Sequence, residues 1–186
     1  MSPAGGVAPL DPSSIEQFKG DDSSVAFLNS KQALWEKTEK LSAYLGKGAS
    51  EFDAIFFPGG HGPMWDLVSD AESQRLVNEF WAQGKVVSAV CHGPAALAEV
   101  RLPSGEFLIQ GKTVTGFSNA EEDMAQLSQF MPFMLEDKLN EASGGKFVKA
   151  ADAWAEKVVV DGRLITGQNP ASARAVGQAI LKAISA

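Results

Sequence analysis

The chain's single cysteine and one of its two histidines stand side by side as Cys91-His92, inside the stretch AVCHGPAA at residues 89–96. A thiol next to an imidazole is a nucleophile next to a base, the pair that covalent catalysis at a carbonyl carbon requires. The other histidine, His61, lies in PGGHG at residues 58–62. Glycines there let a ligand approach the backbone, and a free N–H near Gly60 can pair with that of His92 to hold an oxyanion. The third group is acidic. Glu121, Glu122 and Asp123 follow Ser118-Asn119-Ala120, and one of them can orient a histidine. Each feature also has a plainer reading: a buried core thiol, an exposed loop histidine, and carboxylates favoured by a helix's first turn. The sequence lacks the tight ligand spacing of the usual metal motifs, so no metal is expected.

The elements that must position these groups follow from periodicity and punctuation. FDAIFFPGG reads as a strand buried on both faces and closed by Pro58-Gly59-Gly60, and KVVSAV as a second buried strand. Between them Asp70 caps a helix with Leu76, Val77, Phe80 and Trp81 on one face and Gly84 just past its end. CHGPAALAEV turns the second strand into a helix, which puts Cys91 at a strand-to-helix turn. Gly93 lets that turn be tight, and the helix N-terminus is expected to lower the thiol pKa. This alternation of strand and helix predicts a mostly parallel sheet with helices on both faces. Ligands gather at the carboxyl ends of such strands, where PGGHG also falls.

Further along, KTVTGF reads as a strand, then NAEEDMAQL and PFMLEDKLNEA as helical pieces joined around Pro132. KFVKA, KVVVDG and RLITGQ read as short strands, the last two forming a hairpin at Asp161-Gly162. Asn169-Pro170 starts a final helix with Val176, Ile180, Leu181 and Ile184 facing the core. Residues 1–30, rich in Pro, Gly, Ser and Asp, read as an irregular segment. Ser30 then caps a helix carrying Leu34, Thr38, Leu41 and Leu45, which Gly46 and Gly48 end.

Composition limits the partners. A chain of 186 residues with 45% hydrophobic content fits one domain, residues 1–186. Sixteen basic against twenty-three acidic residues give a net charge of −7, with no Lys/Arg cluster, so nucleic acid and anionic membrane are not expected partners. One cysteine and no signal-type start suggest a cytoplasmic location.

Four motifs in order, FFPGGHG, AVCHGPAAL, GKTVTGFSNAEE and DGRLITGQNPASA, resemble the ThiJ/PfpI (DJ-1/PfpI) superfamily, and within it the heat-shock-type glyoxalase III and chaperone group. The resemblance implies a flavodoxin-like three-layer α/β sandwich, as in class I glutamine amidotransferases, and commonly a homodimer. It implies Cys91 as nucleophile, His92 and Glu122 as its triad partners, and Gly60, His61 and Gly93 around the oxyanion or substrate. It implies methylglyoxal converted to lactate without glutathione, or deglycation of protein, with no metal and no organic cofactor. The alternatives are a cysteine peptidase or amidase, and a non-enzymatic chaperone or redox sensor built on an oxidised Cys91. The substrate is then a small aldehyde or a glycated or peptide group. In the family a strand-helix-strand unit of roughly 30 residues precedes the segment resembling SPAGGVAPLDPSS. The fold is therefore expected to be truncated at its N-terminus, without a glutamate that faces the cysteine and with FDAIFFPGG as an open edge that invites another chain.

Overall fold

The computed structural model describes residues 1–185; Ala186, the last residue of the expected domain, lies outside them. The chain divides into two compact units, Met1–Tyr44 and Leu45–Ala186.

In the first unit the expected irregular segment contains two short helices, α1 (Pro12–Gln17) and α2 (Asp22–Ser30). Their starts are built by side chains: Asp11 accepts the Ser13 N–H and Asp21 the Ser24 N–H. Such caps satisfy donors that the first turn leaves free, and they offset the weak apolar pattern. Ser30 therefore ends a helix where it was expected to begin one, and only α3 (Ala33–Glu36) follows. Thr38 instead joins an antiparallel bridge to Gly6, and Lys40 a parallel bridge to Ser2.

The second unit carries the sheet. After α4 (Gly48–Glu51) come β1 (Ala54–Phe57), α5 (Ala71–Ala82) and β2 (Val86–Val90). They are followed by α6 (Ala95–Ala98), α7 (Asn119–Met124) and α8 (Leu135–Ser143), then β3 (Val158–Asp161), β4 (Leu164–Gly167) and α9 (Ala173–Ile184). The strand order is β1-β2-β4-β3, parallel except for the β3–β4 hairpin, which turns at Gly162 with φ 62°. The central strand β2 is buried at all five residues. Val86, Val90 and Ile165 pack with Val176 and Ile180 of α9 on one face. The alternate side chains, Ile55, Phe57, Val87 and Ala89, point the other way and are also buried. There α5 packs against β1 and β2 with Leu76, Val77 and Phe80 buried. This is the α/β arrangement with a mostly parallel sheet and helices on both faces.

Four local expectations are corrected. KTVTGF and KFVKA form no ladder and meet at one bridge, Val114 with Phe147. Side chains take the place of a neighbouring strand: Asp161 accepts the Thr113 N–H and Thr166 Oγ1 the Thr115 N–H. β1 is not buried on both faces, because it is the edge strand of this sheet and Phe56 is 41% exposed. Of the four residues expected to face the core from α9, Leu181 and Ile184 are exposed. Leu181 is turned roughly 100° from Ile180 and so leaves the contact face. Among the described residues no helix is long and apolar enough to cross a membrane.

Candidate functional site

Cys91 follows β2 directly and has φ 61°, a left-handed conformation that a residue with a side chain rarely adopts. The strain is held from both sides. Cys91 N–H donates to Gly167 of β4 at 3.0 Å, and the Phe117 N–H donates to the Cys91 carbonyl at 3.0 Å. Such over-determined strain is typical of functional turns and aims the sulfur away from the strand it ends. The turn needs glycine at two neighbours. A Cβ at Gly93 would lie 2.2 Å from the Phe57 carbonyl oxygen, and one at Gly59 2.6 Å from that of Val90. Gly93 is thus a packing requirement. Its N–H is bonded to Val90 at 2.8 Å within the turn. The N–H groups of His92 and Gly60 point at the sulfur instead.

His92 is buried and sits with Nδ1 3.4 Å from Cys91 Sγ. Its Nε2 lies 2.6 Å from Glu122 Oε2. Glu122 comes from the first turn of α7, which a capping box begins: Ser118 Oγ accepts the Glu121 N–H while Glu121 accepts the Ser118 N–H. The capping box separates three acidic neighbours that sequence could not. Glu121 faces inward and accepts from Ser118, Trp154, Gln168 and Asn169. Asp123 accepts from Ser128, and Glu122 alone reaches the histidines. His61, one-third exposed, places its Nε2 3.2 Å from Glu122 Oε1 and its ring 4.0 Å from that of His92.

Protonation follows from these contacts. Glu122 is desolvated, yet the hydrogen bonds from His61 and His92 outweigh burial and hold its carboxyl at about 2. An ionised carboxylate can only accept, so His92 carries its proton on Nε2 and turns the Nδ1 lone pair to the sulfur. Burial also lowers the His92 pKa, against the pull of Glu122, and keeps the ring neutral. The thiol behaves opposite to expectation. Burial pushes it up to about 12, over the opposing N–H groups of His92 and Gly60, with Glu121 and Glu122 adding to the rise. α6 has only four residues and begins at Ala95, so its dipole does little for a sulfur four residues earlier. Iodoacetamide should therefore label Cys91 more slowly at pH 7 than an exposed cysteine, with a rate rising about tenfold per pH unit to pH 10. A plateau near neutrality would contradict a protonated thiol.

Two site residues gave no usable signal in the sequence. Phe117 also lies against the His92 ring, with ring centroids 4.3 Å apart, and Trp154 stands edge-on to Phe117 at 5.4 Å. Trp154 has φ 65°, and its N–H donates to Glu121. His61, His92 and Glu122 also bring three possible metal-ligating atoms within 4.8 Å of one another. No sequence spacing announces this cluster, because the three come from separate loops.

Known proteins are similar to this chain over most of its length. A probable glutathione-independent glyoxalase of Schizosaccharomyces pombe is 29% identical over 178 residues, 94% of this chain and 80% of the relative. The structure of the Rapid Encystment Protein 24 kDa of Francisella tularensis matches with TM-score 0.81 and 37% identity, covering 97% of this chain and 78% of that one. Glyoxalase III of Candida albicans matches with TM-score 0.75 and 30% identity, over 88% of this chain and 70% of that one. The sequence profile of the DJ-1/PfpI family spans residues 40–183, from the end of the first unit through α9. By that span the chain belongs to the DJ-1/PfpI family.

Proposed function

We propose that the chain is a glutathione-independent glyoxalase of the glyoxalase III type, converting methylglyoxal to lactate through a covalent bond to Cys91. One observation carries this reading: a single imidazole, His92, stands between Glu122 Oε2 at 2.6 Å and Cys91 Sγ at 3.4 Å, one ring nitrogen to each. A thiol at about 12 is inert alone and reacts only when a base takes its proton as the new bond forms. That restricts attack to a bound electrophile such as an aldehyde.

The atoms balance with water as the only co-reactant. Sγ adds to the aldehyde carbon, and its proton passes to His92 Nδ1 and on to the carbonyl oxygen, giving a hemithioacetal. The N–H groups of Gly60 and His92, which point at the sulfur, are close enough to receive the oxygen of the carbon it attacks. The hydrogen on that carbon then leaves as a proton and returns to the neighbouring ketone carbon through an enediol. The first carbon is oxidised to a thioester and the second reduced to an alcohol. Water releases lactate and restores the thiol. Glu122 stabilises the imidazolium formed at each transfer, as the acidic member of a triad does.

The test is direct. Purified chain is expected to consume methylglyoxal and form lactate with no added glutathione. Hydrolysis of a glutamine or peptide substrate, with no loss of methylglyoxal, would replace this reading by the amidase one. A protonated thiol also favours this reaction over a redox sensor, since oxidation follows thiolate character.

A further inference from the structure

We propose that His61, His92 and Glu122 form a site for a divalent transition-metal ion of the zinc(II) class, and that its occupation silences Cys91. Their ligand atoms lie within 4.8 Å of one another. In a tetrahedral site with bonds of about 2.0–2.1 Å, two ligand atoms stand about 3.3 Å apart. Here His61 Nε2 is 3.2 Å from Glu122 Oε1 and His92 Nε2 2.6 Å from Glu122 Oε2, and the three ligand atoms lie within 4.8 Å of one another. An ion therefore asks the two imidazoles to converge on one carboxylate, the widest separation closing by up to about 1.5 Å and the His92 contact opening by about 0.7 Å. The residue able to adjust is His61. Its side chain is one-third exposed, and it follows Gly59 and Gly60, with φ 92° and 71°. Two imidazoles with one carboxylate suit zinc, copper or nickel and discriminate against magnesium and calcium.

The geometry excludes sulfur from this ion. Sγ faces Nδ1 of His92, whereas the carboxylate faces Nε2, and the two nitrogens of one imidazole point apart. The site is thus independent of Cys91. The ligand set has a chemical consequence for the thiol. An ion on Nε2 takes that lone pair, and the ring's single proton moves from Nε2 to Nδ1. His92 then presents an N–H to the sulfur and no longer has a free lone pair there, so the proton transfers of the reaction lose their carrier. This silencing rests on the function proposed above; the binding does not.

The experiment titrates zinc chloride into the full reduced chain by calorimetry, with cobalt(II) absorption as a report on geometry and circular dichroism as a check on folding. One equivalent is expected to bind. Cys91→Ser should bind with affinity within about twofold of the parent, and the cobalt complex should show tetrahedral bands without sulfur charge transfer. His61→Ala and His61→Gln should each weaken binding at least about tenfold. Stoichiometric zinc should also stop methylglyoxal consumption, and a chelator should restore it. Absence of stoichiometric binding overturns the proposal, as does binding lost in Cys91→Ser but kept in both His61 variants. Zinc bound as described by a chain that consumes no methylglyoxal would leave the site standing and refute the glyoxalase reading alone.

Discussion

Cys91→Ser is expected to lose at least about 10³-fold in kcat for methylglyoxal while unfolding at the parent urea midpoint. The stability half follows from the backbone. Serine keeps a Cβ, so the strain at φ 61° and the bonds to Gly167 and Phe117 are unchanged. The kinetic half follows from the atom exchanged. The hydroxyl is a far weaker acid than even a buried thiol, and His92, held neutral with a lowered pKa, is not a strong enough base to take its proton in the ground state. Sulfur is also the better leaving group, so an ester formed in place of the thioester would hydrolyse more slowly. Turnover near the parent value would move the chemistry away from Cys91 and the proposed mechanism with it.

Glu121→Ala is expected to destabilise the second unit by more than about 4 kcal/mol at pH 7, seen as a shift of the urea transition. The carboxylate accepts from the N–H and hydroxyl of Ser118, the Trp154 N–H, and the side-chain amides of Gln168 and Asn169. Removing it leaves five donors facing a buried cavity. These donors belong to the α7 cap, the Trp154 loop and the segment joining β4 to α9, so one carboxylate ties three parts of the chain together. Its acidity adds a pH signature. Burial opposes ionisation, but the hydrogen bonds from Asn169, Ser118 and Trp154 win and hold the carboxyl below its ordinary 4.5. Glu122 is also held down, at about 2. A depressed folded-state pKa gives stability that is complete above 4.5 and is lost as pH falls toward 2. Glu121→Ala should flatten the Glu121 share of that acid loss. A variant within about 1 kcal/mol of the parent would show that the donors find other partners.

How far the sequence foretold this arrangement depends on which force set each part. β1, β2, the β3–β4 hairpin and the starts of α5 and of the last helical segment were legible, because burial periodicity and caps at Asp70 and Asn169 are local signals. The positions of Cys91 and His92 were legible for the same reason, since a buried strand ending in a tight turn leaves few conformations. Lys112 to Phe117 was misread because its N–H partners are side chains of Asp161 and Thr166, distant in sequence. The helix dipole was over-weighted at Cys91, where desolvation dominates. Trp154 and the cluster of His61 with Glu122 arise only from tertiary contact. Neither has a period or spacing along the chain that could have revealed it.

The backbone of Cys91 bears on how this position can evolve. A residue at φ 61° costs roughly 1–3 kcal/mol relative to one that adopts the left-handed region freely. Glycine would remove that cost in a single substitution, with no change to the hydrogen bonds at Gly167 and Phe117. Drift under selection for folding alone would therefore empty position 91 of its side chain. A lineage that keeps cysteine there is being held by something other than stability, which makes glycine at this position the expected mark of descendants that have abandoned the chemistry and kept the fold.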